Sequence, residues 1–277
     1  MKITRSFFNK TRIMGIVNTS PDSFSDGGLY SDIDSAVEHC YKISTEGAEI
    51  IDIGGESTRP GSEPITEEEE ISRVVPVLEK TRNILPDTII SVDTYKAGVA
   101  ERCIDAGIDI INDISSLQFD GRMGDLLKEH PEIHIIMMHI QGTPKNMQIN
   151  PRYNDVVTDI IDFFEERIDY CLKKGISKER LIIDPGIGFG KKFEHNIEII
   201  RRLAEFRVLQ CPVALGASRK SFINHIYPSE PQDRLAGSLA ATSFALQNNV
   251  ELIRVHDVKE NRQFIDTYYA IMNRQSS

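Results

Sequence analysis

Little in this chain supports a secreted, membrane-bound or nucleic-acid-binding protein. It has only four cysteines, at 40, 103, 171 and 211 of 277 residues. That wide spacing suits neither a disulfide framework nor a thiolate metal site, and it points to a reducing cytoplasm. No apolar run approaches the roughly 20 residues of a membrane span, and residues 1–8 lack the apolar region of a secretion signal. An excess of positive charge is also missing. The formal net charge is −10, which argues against a nucleic-acid partner, because phosphate backbones are met with a basic footprint. The expectation is an acidic protein whose basic side chains are kept for local tasks.

What is present is enough apolar material for one large core, 40% of the residues. No low-complexity linker divides it, so residues 1–277 read as one domain. Short β-rich runs alternate with longer amphipathic stretches. Strands are expected at 12–17, 49–53, 88–92, 109–111, 134–138, 181–183, 212–215 and 252–255. Helices are expected at 33–45, 67–84, 96–105, 123–129, 154–174, 194–206, 233–247 and 259–273. Thr66 and Glu69 have capping-box spacing, and Gly47, Gly107 and Gly175 stand where helix C-caps belong. The acidic run Glu67 to Glu70 reads as a solvated first turn that complements the helix dipole. Eight such units in this length match an α/β fold of the closed (β/α)8 type, the TIM barrel. An open doubly wound sheet fits the alternation as well; the count and the length favour the barrel.

Barrel active sites occupy the C-terminal ends of the strands. The residues that follow the expected strands form a polar series: Asn18; Glu56, Ser57, Thr58 and Arg59; Asp93; Asn112; His139; Asp184; Ser218, Arg219 and Lys220; His256 and Asp257. Two or three will be helix N-caps, which use the same residue types, but that role does not absorb them all. Asp93, Asn112 and Asp184 could read a flat heterocycle bearing both donors and acceptors, with Lys220 on a ring carbonyl. The structural alternatives are an N-cap for Asp93 and a turn residue before Pro185 for Asp184. Arg254 and His256 alternate on the last strand and so face one way. With Asn18, Thr58 and Arg59 they could hold a polyphosphate, Arg59 by forking onto its oxygens.

Two connections stand out. Residues 18–28 are rich in turn formers yet carry Phe24, either a lid over a planar substrate or an aromatic packed on the rim. Residues 184–191 are dense in glycine, with a spacing that fits neither the dinucleotide nor the Walker pattern. They read as backbone passing close to a ligand, with Phe189 as an apolar wall. His139 is undecided between core and site.

Taken together, residues 18–28, 52–62, 91–94, 111–113, 138–139 with 142–144, 184–190, 216–221 and 254–258 resemble the dihydropteroate synthase family. The ordered set spans almost the whole chain. The resemblance implies a transferase of folate biosynthesis on a (β/α)8 barrel, which joins 6-hydroxymethyl-7,8-dihydropterin pyrophosphate to para-aminobenzoate. It implies that Asp93, Asn112, Asp184 and Lys220 hold the pterin, with Gly216 among the binding positions and Arg254 against the ring and the phosphates. Asn18, Thr58, Arg59 and His256 would hold the pyrophosphate, with Mg2+ near Asn18. Phe24, Pro60, Phe189, Lys220 and Ser221 would border the aminobenzoate, which sulfonamides mimic in this family, and Asp26 would organise the closed site.

The resemblance also implies a dissociative loss of pyrophosphate and a cytoplasmic homodimer formed through C-terminal helices, with Phe244, Ile265 and Tyr269 as contributors. Gln141 departs from the basic residue often found at its position. A pterin-dependent methyltransferase would share the pterin readers but not Thr58, Arg59, Arg254 and His256. A pterin-binding scaffold would retain the ring without turnover.

Overall fold

The structure is a computed structural model that describes residue 3, residues 5–19 and residues 29–272. Its strands are apolar along nearly their whole length because both of their faces are buried. They are β1 (Arg12–Asn18), β2 (Ile50–Gly54), β3 (Ile89–Asp93), β4 (Ile110–Asp113), β5 (His134–Met138), β6 (Leu181–Asp184), β7 (Ala214–Leu215) and β8 (Leu252–Val255). All pair in parallel, in the order β6-β5-β4-β3-β2-β1-β8-β7. The two end strands meet through one isolated parallel bridge, Ile183 to Val213, which brings the sheet round into a nearly closed barrel. The helices outside it are α1 (Leu29–Thr45), α2 (Glu67–Ile84), α3 (Ala97–Asp105), α4 (Met123–Glu129), α5 (Val156–Lys174), α6 (Phe193–Arg201), α7 (Ser221–Ile226), α8 (Leu235–Gln247) and α9 (Val258–Ile271). The expected (β/α)8 architecture is the one observed.

Alternate side chains of a strand face opposite ways. Those facing out, such as Ile51, Ile53, Ile90, Val92 and Ile111, join the helices in the main core. Met14, Ile50, Ile89, Ile110, Ile136, Ile182 and Leu252 form a second cluster that fills the barrel itself. Phe7, from the 3-10 turn Arg5–Asn9, belongs to this cluster and plugs its base. The Arg12 guanidinium lies 4.5 Å from the Phe7 ring centre, and Arg12 Nε donates to the Phe7 carbonyl at 2.7 Å. One inward position further along, the strands carry Asp52, Ser91, Asn112, Asp184 and Arg254. The barrel interior therefore changes from apolar at its base to charged at its mouth.

Local signals behave as their chemistry requires. The Thr66 hydroxyl accepts from the Glu69 N–H at 3.2 Å. Gly47, Gly107 and Gly175 take φ of 107°, 93° and 89°, the left-handed region in which a Cβ is penalised. Other boundaries shift by a few residues; four departures have a physical reason or change the reading. The helix expected over 194–206 is α6 followed by a 3-10 turn, Leu203–Leu209, because Arg202 leaves helical geometry. Strand β7 is shortened because Pro212 has no N–H for the ladder, although its carbonyl accepts from Ile183 N at 3.0 Å. The helix α7 was not anticipated. The acidic run at the start of α2 is not wholly solvated, since Glu70 is buried and paired to Lys96.

Two of the three side chains expected to meet a second copy are committed within this chain. Ile265 lies in the main core, and the Tyr269 hydroxyl donates to Thr11 Oγ1 at 3.2 Å; Phe244 is exposed. All four cysteines are buried and unpaired. Among the described residues, no helix is long and apolar enough to cross a membrane.

Candidate active site

Strand register assembles the mouth of the barrel. Asn18 stands opposite Gly54, Gly54 opposite Asp93, and Asp93 opposite Asn112, so these residues share one layer at the strand ends. Asp184 stands opposite Met138 at the end of β6. Arg254 rises among them from β8. Its Nε donates to Asp52 Oδ2 at 2.6 Å and its Nη2 to Asp93 Oδ2 at 2.7 Å. Asn112 Nδ2 donates to the same Asp52 oxygen at 3.1 Å. Asp52 is 0% exposed, and its Oδ1 is buried without a hydrogen-bond partner. Buried polar atoms are rarely left so.

Gly216 occupies the gap between Asp184 and Arg254. A Cβ there would lie 3.6 Å from Asp184 Oδ2 and 4.0 Å from Arg254 Cβ. Asp184 Oδ1 accepts from Gly186 N–H at 2.7 Å, so Asp184 both holds its own turn and turns its second oxygen toward this gap. The Lys220 ammonium sits 4.2 Å from the Phe189 ring centre, a cation–π contact. Phe189 itself is buried with Ile114, Met138, Ile140 and Met147.

Burial and charge tune these groups against one another. Burial raises the Asp93 and Asp184 carboxyls; Arg254 opposes this at Asp93, and the Gly186 N–H followed by Lys220 opposes it at Asp184. Burial works against the Arg254 charge, but the carboxylates of Asp52 and Asp93 outweigh it and hold the guanidinium above its ordinary value. Burial, then Arg254, brings Lys220 down to about 8. Burial and the Arg254 charge take His256 to about 3, so its ring is neutral at pH 7. His256 N–H donates to Ser218 Oγ at 3.2 Å, and the same hydroxyl lies 3.1 Å from Nδ1. With its oxygen accepting from the backbone, Ser218 is placed to donate to Nδ1. In the tautomer where the Ser218 hydroxyl donates to Nδ1, the proton of the neutral ring sits on Nε2, where it can meet an anion.

The structure brings Asp93, Asn112, Asp184, Gly216, Lys220 and Arg254 together, with Phe189 beside Lys220 and His256 just past β8. Thr58 is half-buried while Arg59 and Pro60 are exposed on the connection after β2. Among the described residues, the Arg59 guanidinium has no hydrogen-bond partner. That connection is pinned by Gly61 N–H donating to the Pro144 carbonyl at 3.0 Å. Ser221 opens α7 and is exposed. Phe24 and Asp26 lie outside the described residues.

The glycine-dense stretch needs a different account from the one its sequence suggests. A Cβ on Gly186 would lie 2.1 Å from the His139 carbonyl oxygen, and one on Gly190 2.5 Å from that of Gln141. These two glycines admit the chain after β5, not a ligand; Gly188 does face Lys220, at 3.5 Å from its Cδ. Phe189 lies beneath the Lys220 ammonium and is 9% exposed. His139 belongs to the core: its ring packs edge-on to Phe163, and its Nδ1 lies 2.9 Å from the buried Lys191 ammonium. Gln141 clips the connection shut by exchanging hydrogen bonds with the Arg152 backbone, at 2.9 and 3.0 Å.

Sequence reasoning assigned no role to Asp52 or to Ser218 in its contact with His256. A carboxylate inside the apolar run 48–53 was the available signal for the first.

A parallel barrel with buried carboxylates, an amide and a lysine around one arginine defines an enzyme pocket for a flat, nitrogen-rich ring. A family model described as pterin binding enzyme matches residues 14–256. A dihydropteroate synthase from Haemophilus influenzae is 43% identical over 262 residues, covering 95% of this chain and 94% of that one. A crystal structure of the Yersinia pestis dihydropteroate synthase in a sulfonamide drug complex superposes with a TM-score of 0.91 at 41% identity, covering 98% of both chains. The Xanthomonas albilineans dihydropteroate synthase with 4-aminobenzoic acid gives a TM-score of 0.90 at 39% identity, over 96% of this chain and 94% of that one. The chain belongs to the pterin-binding enzyme family and, within it, to the dihydropteroate synthases.

Proposed function

We propose that this chain condenses 6-hydroxymethyl-7,8-dihydropterin pyrophosphate with para-aminobenzoate, giving 7,8-dihydropteroate and pyrophosphate. The observation that carries the residue assignment is the ring of Asp52, Asp93, Asn112 and Asp184, from four strands, around the half-buried Arg254. The guanidine-like edge of a pterin offers N–H donors that suit the free side of Asp184. Lys220 reaches a ring carbonyl. Thr58, Arg59, Asn18 and the Nε2–H of His256 hold the diphosphate, while Pro60, Phe189 and Ser221 border the aminobenzoate. On the family resemblance alone, we assign Phe24 to cover the aminobenzoate and Asp26 to organise the closed site.

Mg2+ is the implied metal, and the residues fit it modestly. Among the described residues, no group of three or more His, Cys, Asp or Glu could hold a metal. One amide oxygen from Asn18 suits Mg2+ as a single ligand among phosphate and water oxygens. When bound there it neutralises charge on the departing diphosphate.

In the dissociative route, the C–O bond breaks with its electron pair leaving on pyrophosphate. The exocyclic methylene is then a cation stabilised by the pterin, and the Asp93 and Asp184 carboxylates offset the positive charge on the ring. The chain's part is to hold the departing anion with Arg59, Arg254 and His256 and to orient the arylamine. The amine lone pair forms the C–N bond and its proton passes to solvent. An aromatic amine is neutral at pH 7, so no strong general base is needed. We place the enzyme in the cytoplasm as a homodimer, in keeping with its unpaired thiols and the exposed Phe244 and Ile271 on α8 and α9. We expect sulfonamides to compete with the aminobenzoate.

The test is direct. Purified protein with both substrates and Mg2+ should form dihydropteroate, and Arg254→Ala and Lys220→Ala should each lower kcat/KM by at least about tenfold. Near-wild-type rates in both variants would remove the site assignment.

A further inference from the structure

A buried charged cluster lies behind the connection that carries Thr58, Arg59 and Pro60, and no role above uses it. Glu56 leaves the end of β2 and turns inward. Its Oε1 accepts from the Tyr95 hydroxyl at 2.8 Å. Its Oε2 accepts from Lys96 Nζ at 2.5 Å and from the Ile65 N–H at 3.0 Å. Lys96 Nζ also donates to Glu70 Oε2, on α2, at 2.6 Å. The side chains of Glu56, Lys96 and Glu70 are 6%, 11% and 1% exposed. Ion pairs this well enclosed hold geometry in a way that surface pairs do not.

The topology gives the cluster its meaning. Glu56 is the first side chain of the connection and Ile65 is near its end, so one carboxylate clasps both ends of the segment 57–64. That leaves Thr58 and Arg59 on a short closed loop rather than a long open one, and closure removes conformations that would otherwise be lost on binding. Tyr95 and Lys96 follow Asp93 by two and three residues, and Asp93 pairs with Arg254. The clasp therefore ties the exposed loop to the strand end that seats the ring.

We propose that Glu56 is a positioning residue for the diphosphate: held by Lys96 and Tyr95, it presets the loop of Thr58 and Arg59 before substrate arrives. This rests on the assignment of that loop to the diphosphate, given above. The sign of the effect separates positioning from simple electrostatics. Removing a carboxylate near an anion site should strengthen anion binding through Coulomb's law. A preset loop that loses its clasp should bind the anion more weakly.

The experiment compares wild type, Glu56→Gln and Glu63→Gln by calorimetry, with inorganic pyrophosphate plus Mg2+ as one ligand and unphosphorylated 6-hydroxymethylpterin as the other. Glu63 lies on the same connection with its charge on the surface, paired to Lys145. The expectation is that Glu56→Gln weakens pyrophosphate binding about tenfold, leaves pterin binding within about twofold, and speeds amide exchange over residues 57–65. Glu63→Gln should bind pyrophosphate as well as wild type or better. Unchanged or tighter pyrophosphate binding in Glu56→Gln would overturn the inference, as would an equal loss on both ligands, which marks general damage to the fold. Wild type that takes up the pterin but not pyrophosphate would instead overturn the loop assignment, and the inference with it.

Discussion

Lys220 is one of the residues whose protonation the barrel mouth controls. Burial and the neighbouring Arg254 bring it down to about 8, against the opposing pull of Asp184 and Asp93. It carries its proton below that pH and loses it above. The free enzyme should therefore lose kcat/KM as pH rises through about 8. In Lys220→Arg, whose guanidinium does not titrate there, the alkaline limb should move out of range even though activity falls; a limb that stays put would assign it to another group. Single residues at this mouth were legible when they closed an apolar run, as Asp93, Asn112 and Asp184 do. Asp52 was not, because hydrophobic periodicity marks which residues are buried and not where a buried layer turns from apolar to charged. The pairing of Ser218 with His256 was hidden for another reason: the two are far apart in sequence and meet only because β7 and β8 are neighbours.

At the scale of elements, the connection from β6 to α6 is fixed by two close approaches of backbone to backbone. Gly186 combines φ of 70° with a site where a Cβ would meet the His139 carbonyl at 2.1 Å. Gly186→Ala should cost more than about 2 kcal/mol, since backbone strain and steric overlap both oppose it, and urea denaturation will measure this. A loss below about 0.5 kcal/mol would mean that the connection yields easily. Glycine density correctly announced a tight approach here, but sequence could not say whether ligand or chain was the near neighbour. Strands were legible through their continuous apolar runs, and helix ends through their capping residues. The break at Arg202 was not, since amphipathic spacing continues from α6 into the 3-10 turn. The six residues of α7 are too short a window for any period to show.

For the whole molecule, the two ends of the barrel axis have separate tasks. Phe7 plugs the apolar base, packed with Met14, Ile50 and Leu252, far along the axis from the charged mouth. Phe7→Ala should remove about 3 kcal/mol of stability and lower Tm by several degrees, while KM for either substrate stays near wild type. A variant with normal Tm and altered KM would show that base and mouth are coupled. The mouth itself is uneven. In its depths, Asp52, Asp93 and Arg254 answer one another's charge, so exchanging any of them strands a buried ion. At its lip, Arg59, Pro60 and Ser221 stand in solvent and can be replaced with little injury to the fold. An inhibitor seated in the depths would thus press on residues that the chain can alter only at a cost in stability and in turnover. One that leans on Pro60 and Ser221 at the lip would press on side chains whose exchange spares both the fold and the grip on the leaving anion, and resistance should arise there first.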